Sequence, residues 1–174
     1  MRPALFNFNT TGQPGGYADF DNYAVEEPRA RGIEREIPIG KTIELTSGAD
    51  GSYLWADTKS NLLVNAAEVE GRNGLFQVVD LGLGRVAFKA INGKFVTVAD
   101  DKTVVLKDLA DKKPSDAESF QWINLMRGDT AFMSLVDHHY LATKPNQPGV
   151  VTATATDVTP ARKGGTEFKW QIVK

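Results

Sequence analysis

"TIELTSGADGSYLWAD", Thr42 to Asp57, is an alternating run of apolar and polar residues, a turn rich in Gly and Asp, and a second alternating run that opens on an aromatic. Alternation with period 2 is the pattern of a half-buried strand, and a glycine-bearing turn between two such runs makes a hairpin. The arrangement returns twice. "RVAFKAINGKFVTVAD" begins at Arg85 and "TAFMSLVDHHYLATK" at Thr130, each with an alternating run, a turn, and an aromatic followed by an aliphatic residue. The leading aromatics, Tyr53, Phe95 and Tyr140, stand 42 and 45 residues apart. Each unit closes on a second aromatic, Phe76 in "FQV", Phe120 in "FQWI" and Phe168 in "FKWQI", 44 and 48 residues apart. Two anchors recurring in the same order three times define an internal repeat of about 44 residues.

Between Lys41 and Lys174 the chain reads as twelve short strand candidates separated by turn residues, four to a unit, with no amphipathic helix among them. A four-stranded unit cannot bury its own apolar face, so the three units must share one core. This predicts an all-β fold, a β-trefoil of three four-stranded repeats over residues 41–174, with Phe76, Phe120 and Phe168 at equivalent buried positions. Trp122 and Trp170 fall in the closing strands and are assigned to the core. Trp55 shares a strand face with Tyr53 and precedes the polar turn Asp57 to Asn61, which suits a partly exposed platform as well as it suits burial.

The chain begins differently. "LFNFNTTGQPGGYADFDNYAV", Leu5 to Val25, shows two alternating runs around a Gly- and Pro-rich loop, and residues 1–28 read as an N-terminal β-hairpin extension. Residues 29–40, dense in charge and interrupted by proline and glycine, read as a linker. A lone hairpin is marginal in water, so its apolar faces need cover from the rest of the chain or from another copy.

Composition bounds the chemistry. The 174 residues carry 20 basic against 22 acidic side chains, with no basic excess to meet a phosphate backbone, so no nucleic-acid partner is expected. No apolar run reaches the length of a membrane helix, and no membrane partner is expected. There is no cysteine, which removes thiol catalysis and thiolate metal sites. "GLGRVA", Gly82 to Ala87, formally fits a dinucleotide fingerprint, but a strand rather than a helix follows it. His138 and His139 are adjacent, so on a strand they point to opposite faces, and Asp19 with Asp21 reads as a solvated strand face. Neither a cofactor nor a metal is expected. A glycosidase pair needs two carboxyls held across a sugar-sized cleft, and a small trefoil filled by its own strands offers none, so no catalysis is expected.

Several stretches carry a resemblance to known families. "RVAFKAINGKFVTVAD" resembles the fascin-type trefoil repeat, and "FQWI" and "FKWQI" are similar to the strand that closes fascin-like and ricin-type repeats. "YLWAD" and "FMSLVDHHYLATKP" resemble the arabinose-binding trefoil modules of family 42, although the Tyr-Leu-Arg-His step of those modules has Trp55-Ala56 and Ala142-Thr143 in its last two places. "RPALFNFNTTGQPGGYADFDNYAV", Arg2 to Val25, resembles the last two strands of the β-sandwich that follows the catalytic propeller in glycoside hydrolase family 43. The resemblance implies a non-catalytic carbohydrate-binding or accessory module of a glycoside hydrolase acting on plant cell-wall polysaccharide. It also implies an upstream hydrolase domain, a xylan- or arabinoxylan-like partner, and a secreted, periplasmic or cell-surface location with the export signal upstream. The alternative is a fascin-like protein-interaction module or a purely structural one.

Sugar recognition on a trefoil surface calls for an aromatic face against the apolar side of a pyranose and a few carboxylate or amide groups for its hydroxyls. In the first repeat Tyr53, Trp55 and Asp57 share one strand face, with Asn61 in the following turn. In the third, Asp137, His139 and Tyr140 bracket a turn and Asn146 follows. The second repeat offers Asp100 and Asp101 with no exposed aromatic nearby.

Overall fold

In the computed structural model, residues 36–125, 128–158 and 164–173 are described. The hairpin expected over residues 1–28 and most of the linker lie outside them. The strands are β1 (Thr42–Ser47), β2 (Tyr53–Asp57), β3 (Leu62–Ala66), β4 (Leu75–Gly82), β5 (Arg85–Ala90), β6 (Phe95–Val98), β7 (Val104–Lys107), β8 (Phe120–Asn124), β9 (Thr130–Ser134), β10 (Tyr140–Ala142), β11 (Gly149–Val150), β12 (Thr152–Ala155) and β13 (Phe168–Ile172). Each repeat supplies four, and in the third repeat the third strand is divided at Val151 into β11 and β12.

The first and last strands of the repeats close a six-stranded antiparallel barrel, running β1, β4, β5, β8, β9, β13 and back to β1. Closure leaves no free edge in the barrel. Register shows the threefold relation directly. Phe76, Phe120 and Phe168 stand opposite Ile43, Val86 and Thr130 of their own repeats, and opposite Ala90, Ser134 and Ser47 of the next. All three phenylalanines are buried, and each faces a small residue on the next repeat, so large and small side chains interdigitate. The neighbouring layer pairs Leu45 with Trp170, Phe88 with Val78, and Phe132 with Trp122. Trp122 and Trp170 are core residues in edge-to-face contact at 5.7 Å, as the sequence predicts. With Phe88, Phe120, Phe132 and Phe168 they fill the barrel with aromatic rings.

The middle strands form three hairpins, β2–β3, β6–β7 and β10–β12, that cap one end of the barrel and are joined to one another. Leu62 pairs with Val105, Val64 with Val150, and Thr103 with Thr152. At the centre lie the buried Leu63, Val104 and Val151, linked by Val151 N–H to Leu63 O (2.9 Å) and Val104 N–H to Val151 O (3.1 Å). At the start of the domain Ile37 packs against the core, Pro38 is buried, and Gly40 N–H donates to Val78 O at 2.8 Å.

Candidate functional site

Alternation along β2 turns Leu54 and Ala56 inward and leaves Tyr53, Trp55 and Asp57 half-buried on the outer face. Trp55 is registered opposite Val64 on β3, and Val64 opposite Val150 on β11. The outer surface of the first repeat therefore carries a row of Trp55, Val64 and Val150 across three strands. Tyr53 stands opposite Ala66 at one end of it. The indole Nε1 of Trp55 is buried and has no hydrogen-bond partner among the described residues, so the ring offers its apolar surface rather than its N–H.

The polar residues expected beside this platform are engaged elsewhere. Asp57 accepts from Lys59 N–H (3.0 Å) and from the Ser60 hydroxyl, and these bonds hold its carboxyl below the usual carboxylate range. Its role is to fix its own turn. Asn61, in the left-handed region at φ 58°, accepts from Lys94 Nζ in the β5–β6 turn of the second repeat.

In the third repeat Asp137 and His139 do come together. Asp137 Oδ2 lies 3.2 Å from His139 Nδ1 and 3.1 Å from Lys102 Nζ, which comes from the β6–β7 turn of the second repeat. Partial burial raises the Asp137 carboxyl, but the Lys102 hydrogen bond, the His139 N–H and the charges of Lys102 and His139 outweigh it and hold it low. Tyr140 opens β10, half-buried between Met133 and Ala155. Asn146 belongs to neither group. Its N–H donates to Asp50 Oδ2 at 2.6 Å, in the β1–β2 turn of the first repeat.

These contacts are one construction used three times. The left-handed residue of each middle-hairpin turn, Asn61, Lys102 or Asn146, meets the first turn of the next repeat at Lys94, Asp137 or Asp50. At the third of these joints the contact is accompanied by a recess of about 280 Å³, lined by Asp50, Ser52, Asn65, Ala66, Asn146 and Pro148 among others. Asp50 accepts from Ser52 N–H (3.0 Å) and the Ser52 hydroxyl (2.7 Å) as well as from Asn146. Partial desolvation raises its carboxyl, and these bonds together bring it below the ordinary value.

Asn65 is buried beneath this recess. Its Nδ2 donates to Ser52 Oγ and to Gln147 O, each at 3.2 Å, while its Oδ1 has no partner among the described residues. Sequence reading passes over Asp50, Ser52 and Asn65 as site residues. The signal available for Asn65 is an amide at an inward position of "LLVNAA", where alternation calls for an apolar side chain. Among the described residues no group of three or more His, Cys, Asp or Glu is placed to hold a metal ion.

No protein-family model matches the sequence, and no curated protein matches it. By structure the chain is similar to a designed 3-fold symmetric protein, ThreeFoil, with a TM-score of 0.63 and 15% identity over 74% of this chain and 96% of that one. It is also similar to a GlcNAcα1-4Gal-releasing endo-β-galactosidase from Clostridium perfringens, with a TM-score of 0.65 and 11% identity over 77% of this chain and 33% of that enzyme. At these identities the likeness is one of fold.

Proposed function

We propose that this chain is a non-catalytic carbohydrate-binding module, an accessory unit of a family 43 type glycoside hydrolase acting outside the cytoplasm on plant cell-wall polysaccharide. Its sugar contact is the outer face of the first repeat around Trp55. The observation that carries the reading is that Trp55 lies half-buried on the outer face in a row with Val64 and Val150, whereas Trp122 and Trp170 are committed to the core. A flat aromatic and aliphatic surface of this kind matches the C–H face of a pyranose. Two further facts support it. The barrel interior is filled by its own side chains, which leaves binding to the outer surface. The endo-β-galactosidase carries the matching fold in about a third of its length, as an accessory unit beside a catalytic one would be placed.

Titration of xylan, arabinoxylan and their oligosaccharides, followed by tryptophan fluorescence, tests this. Trp55 is the only tryptophan outside the core, so binding is expected to change the emission at millimolar sugar, and Trp55→Ala is expected to abolish both the change and the binding. Absence of binding at that concentration, or binding undiminished in Trp55→Ala, overturns the assignment and leaves the fascin-like interaction or bracing role.

A further inference from the structure

We propose that the recess between the first and third repeats is a second binding site, separate from the Trp55 face, and that it takes one neutral sugar residue at the end or a branch of a glycan. The class of ligand rests on the carbohydrate reading above; the site does not depend on Trp55.

The first ground is the way this joint departs from the other two. At the equivalent joints a lysine closes the contact, Lys94 against Asn61 and Lys102 against Asp137. Here a backbone N–H, that of Asn146, meets Asp50, and the recess lies beside that contact.

The second ground is Asn65. Leu54 is registered opposite Asn65 as Val96 is opposite Leu106, so the second repeat fills the same place with leucine. An amide in that position works against packing unless it serves another purpose. Asn65 holds the Ser52 hydroxyl and the Gln147 carbonyl at the rim, and it keeps an oxygen that no group among the described residues satisfies.

The chemistry of the lining selects the ligand. Its one charged side chain is the Asp50 carboxylate, an acceptor, beside the Ser52 hydroxyl and the amides of Asn65, Asn146 and Gln147, and among the described residues no Lys, Arg or His lines it. An anion is therefore disfavoured, and a ligand rich in O–H donors is favoured. Calcium takes about six to eight oxygen ligands, and the single carboxylate of this lining already accepts three bonds from Ser52 and Asn146. Ala66 and Pro148 supply apolar wall for the ring carbons. Pockets for drug-sized ligands run from roughly 300 Å³ upward, so a recess of about 280 Å³ holds a single sugar unit.

The test is amide NMR of the ¹⁵N-labelled full chain titrated separately with D-xylose, L-arabinose, D-galactose and N-acetylglucosamine, with calcium chloride and sodium sulfate as parallel probes. At least one sugar is expected to give saturable shifts at the Ser52 and Asn146 backbone amides and the Asn65 side-chain amide, with a millimolar Kd. Asn65→Leu and Asp50→Asn are each expected to weaken it by about tenfold or more, while Trp55→Ala leaves it unchanged. Two variants are used so that a folding defect in one does not decide the matter. The proposal is overturned if no sugar shifts these amides at about 100 mM, far above a millimolar Kd, or if calcium or sulfate alone saturates them. Undiminished sugar binding in both folded variants also overturns it. Polysaccharide binding lost in Trp55→Ala with a silent recess would uphold the proposed function and sink only this inference.

Discussion

Asn65 shows how a single side chain can run against the fold that holds it. It is buried at a position where the second repeat has Leu106, and its carbonyl oxygen accepts no bond from the described residues. A buried polar group left unsatisfied costs about 1–3 kcal/mol, and an apolar replacement removes that penalty. Replacement also removes two donated bonds, but Ser52 Oγ retains Asp50 as a partner and Gln147 is exposed to water. Asn65→Leu is therefore expected to raise stability by about 1 kcal/mol in urea unfolding. A loss of that size would show that the rim bonds hold the joint together. At this scale the sequence was half legible. Period 2 puts Tyr53, Trp55 and Asp57 on one face, because strand geometry is local. It cannot reveal that Asn61 meets Lys94 33 residues on, or that Asn146 meets Asp50 at a separation of 96, because those contacts depend on how repeats close on one another.

Among the elements, the turns do the work of joining. Asp50, Asp101 and Asp137 in turns and Asp57 at the end of β2 all accept backbone N–H bonds through their carboxylates, and all four carboxyls lie below their ordinary range. Groups lowered on folding contribute stability that is complete above the unfolded carboxylate pKa of about 4 and is lost as pH falls through that value toward the folded one. The thermal midpoint is expected to be flat near neutrality and to fall from about pH 5 downward. Asp137→Asn should lessen that fall, because Asp137 alone among these carboxylates joins Lys102 and His139 across two repeats. An acid limb identical to that of the parent chain would mean that this ion pair does not stabilise the second joint. The strands were more legible than the turns, since each of the twelve runs read from alternation contains a strand. The exception is instructive: "VVTATAT" reads as one strand, yet it is divided at Val151, whose N–H and C=O turn to Leu63 and Val104 on the central axis.

For the whole molecule, threefold closure is what the repeated phenylalanines announced, and it follows from burial: three faces that cannot be covered singly are covered together. The domain's lower bound is set by the same argument. The barrel and cap draw their core from Ile43 through Trp170, with Ile37 packed against it and Pro38 buried beside it. Gly40 N–H and Lys41 O continue the pairing of β1 along β4 through Val78. A chain beginning at Glu36 is therefore expected to unfold cooperatively with the stability of the full sequence. A chain beginning at Lys41 loses the burial of Ile37 and Pro38, the Gly40 N–H bond to Val78 O and the two local bonds Ile39 N–H to Ile37 O and Lys41 N–H to Pro38 O, and is expected to be less stable by about 2–4 kcal/mol. Urea midpoints for the full chain and the two truncations distinguish the cases. Equal stability of the two truncations would show that residues 36–40 only lie on the domain. A large loss already at Glu36 would show that residues 1–35 and the trefoil form one cooperative unit.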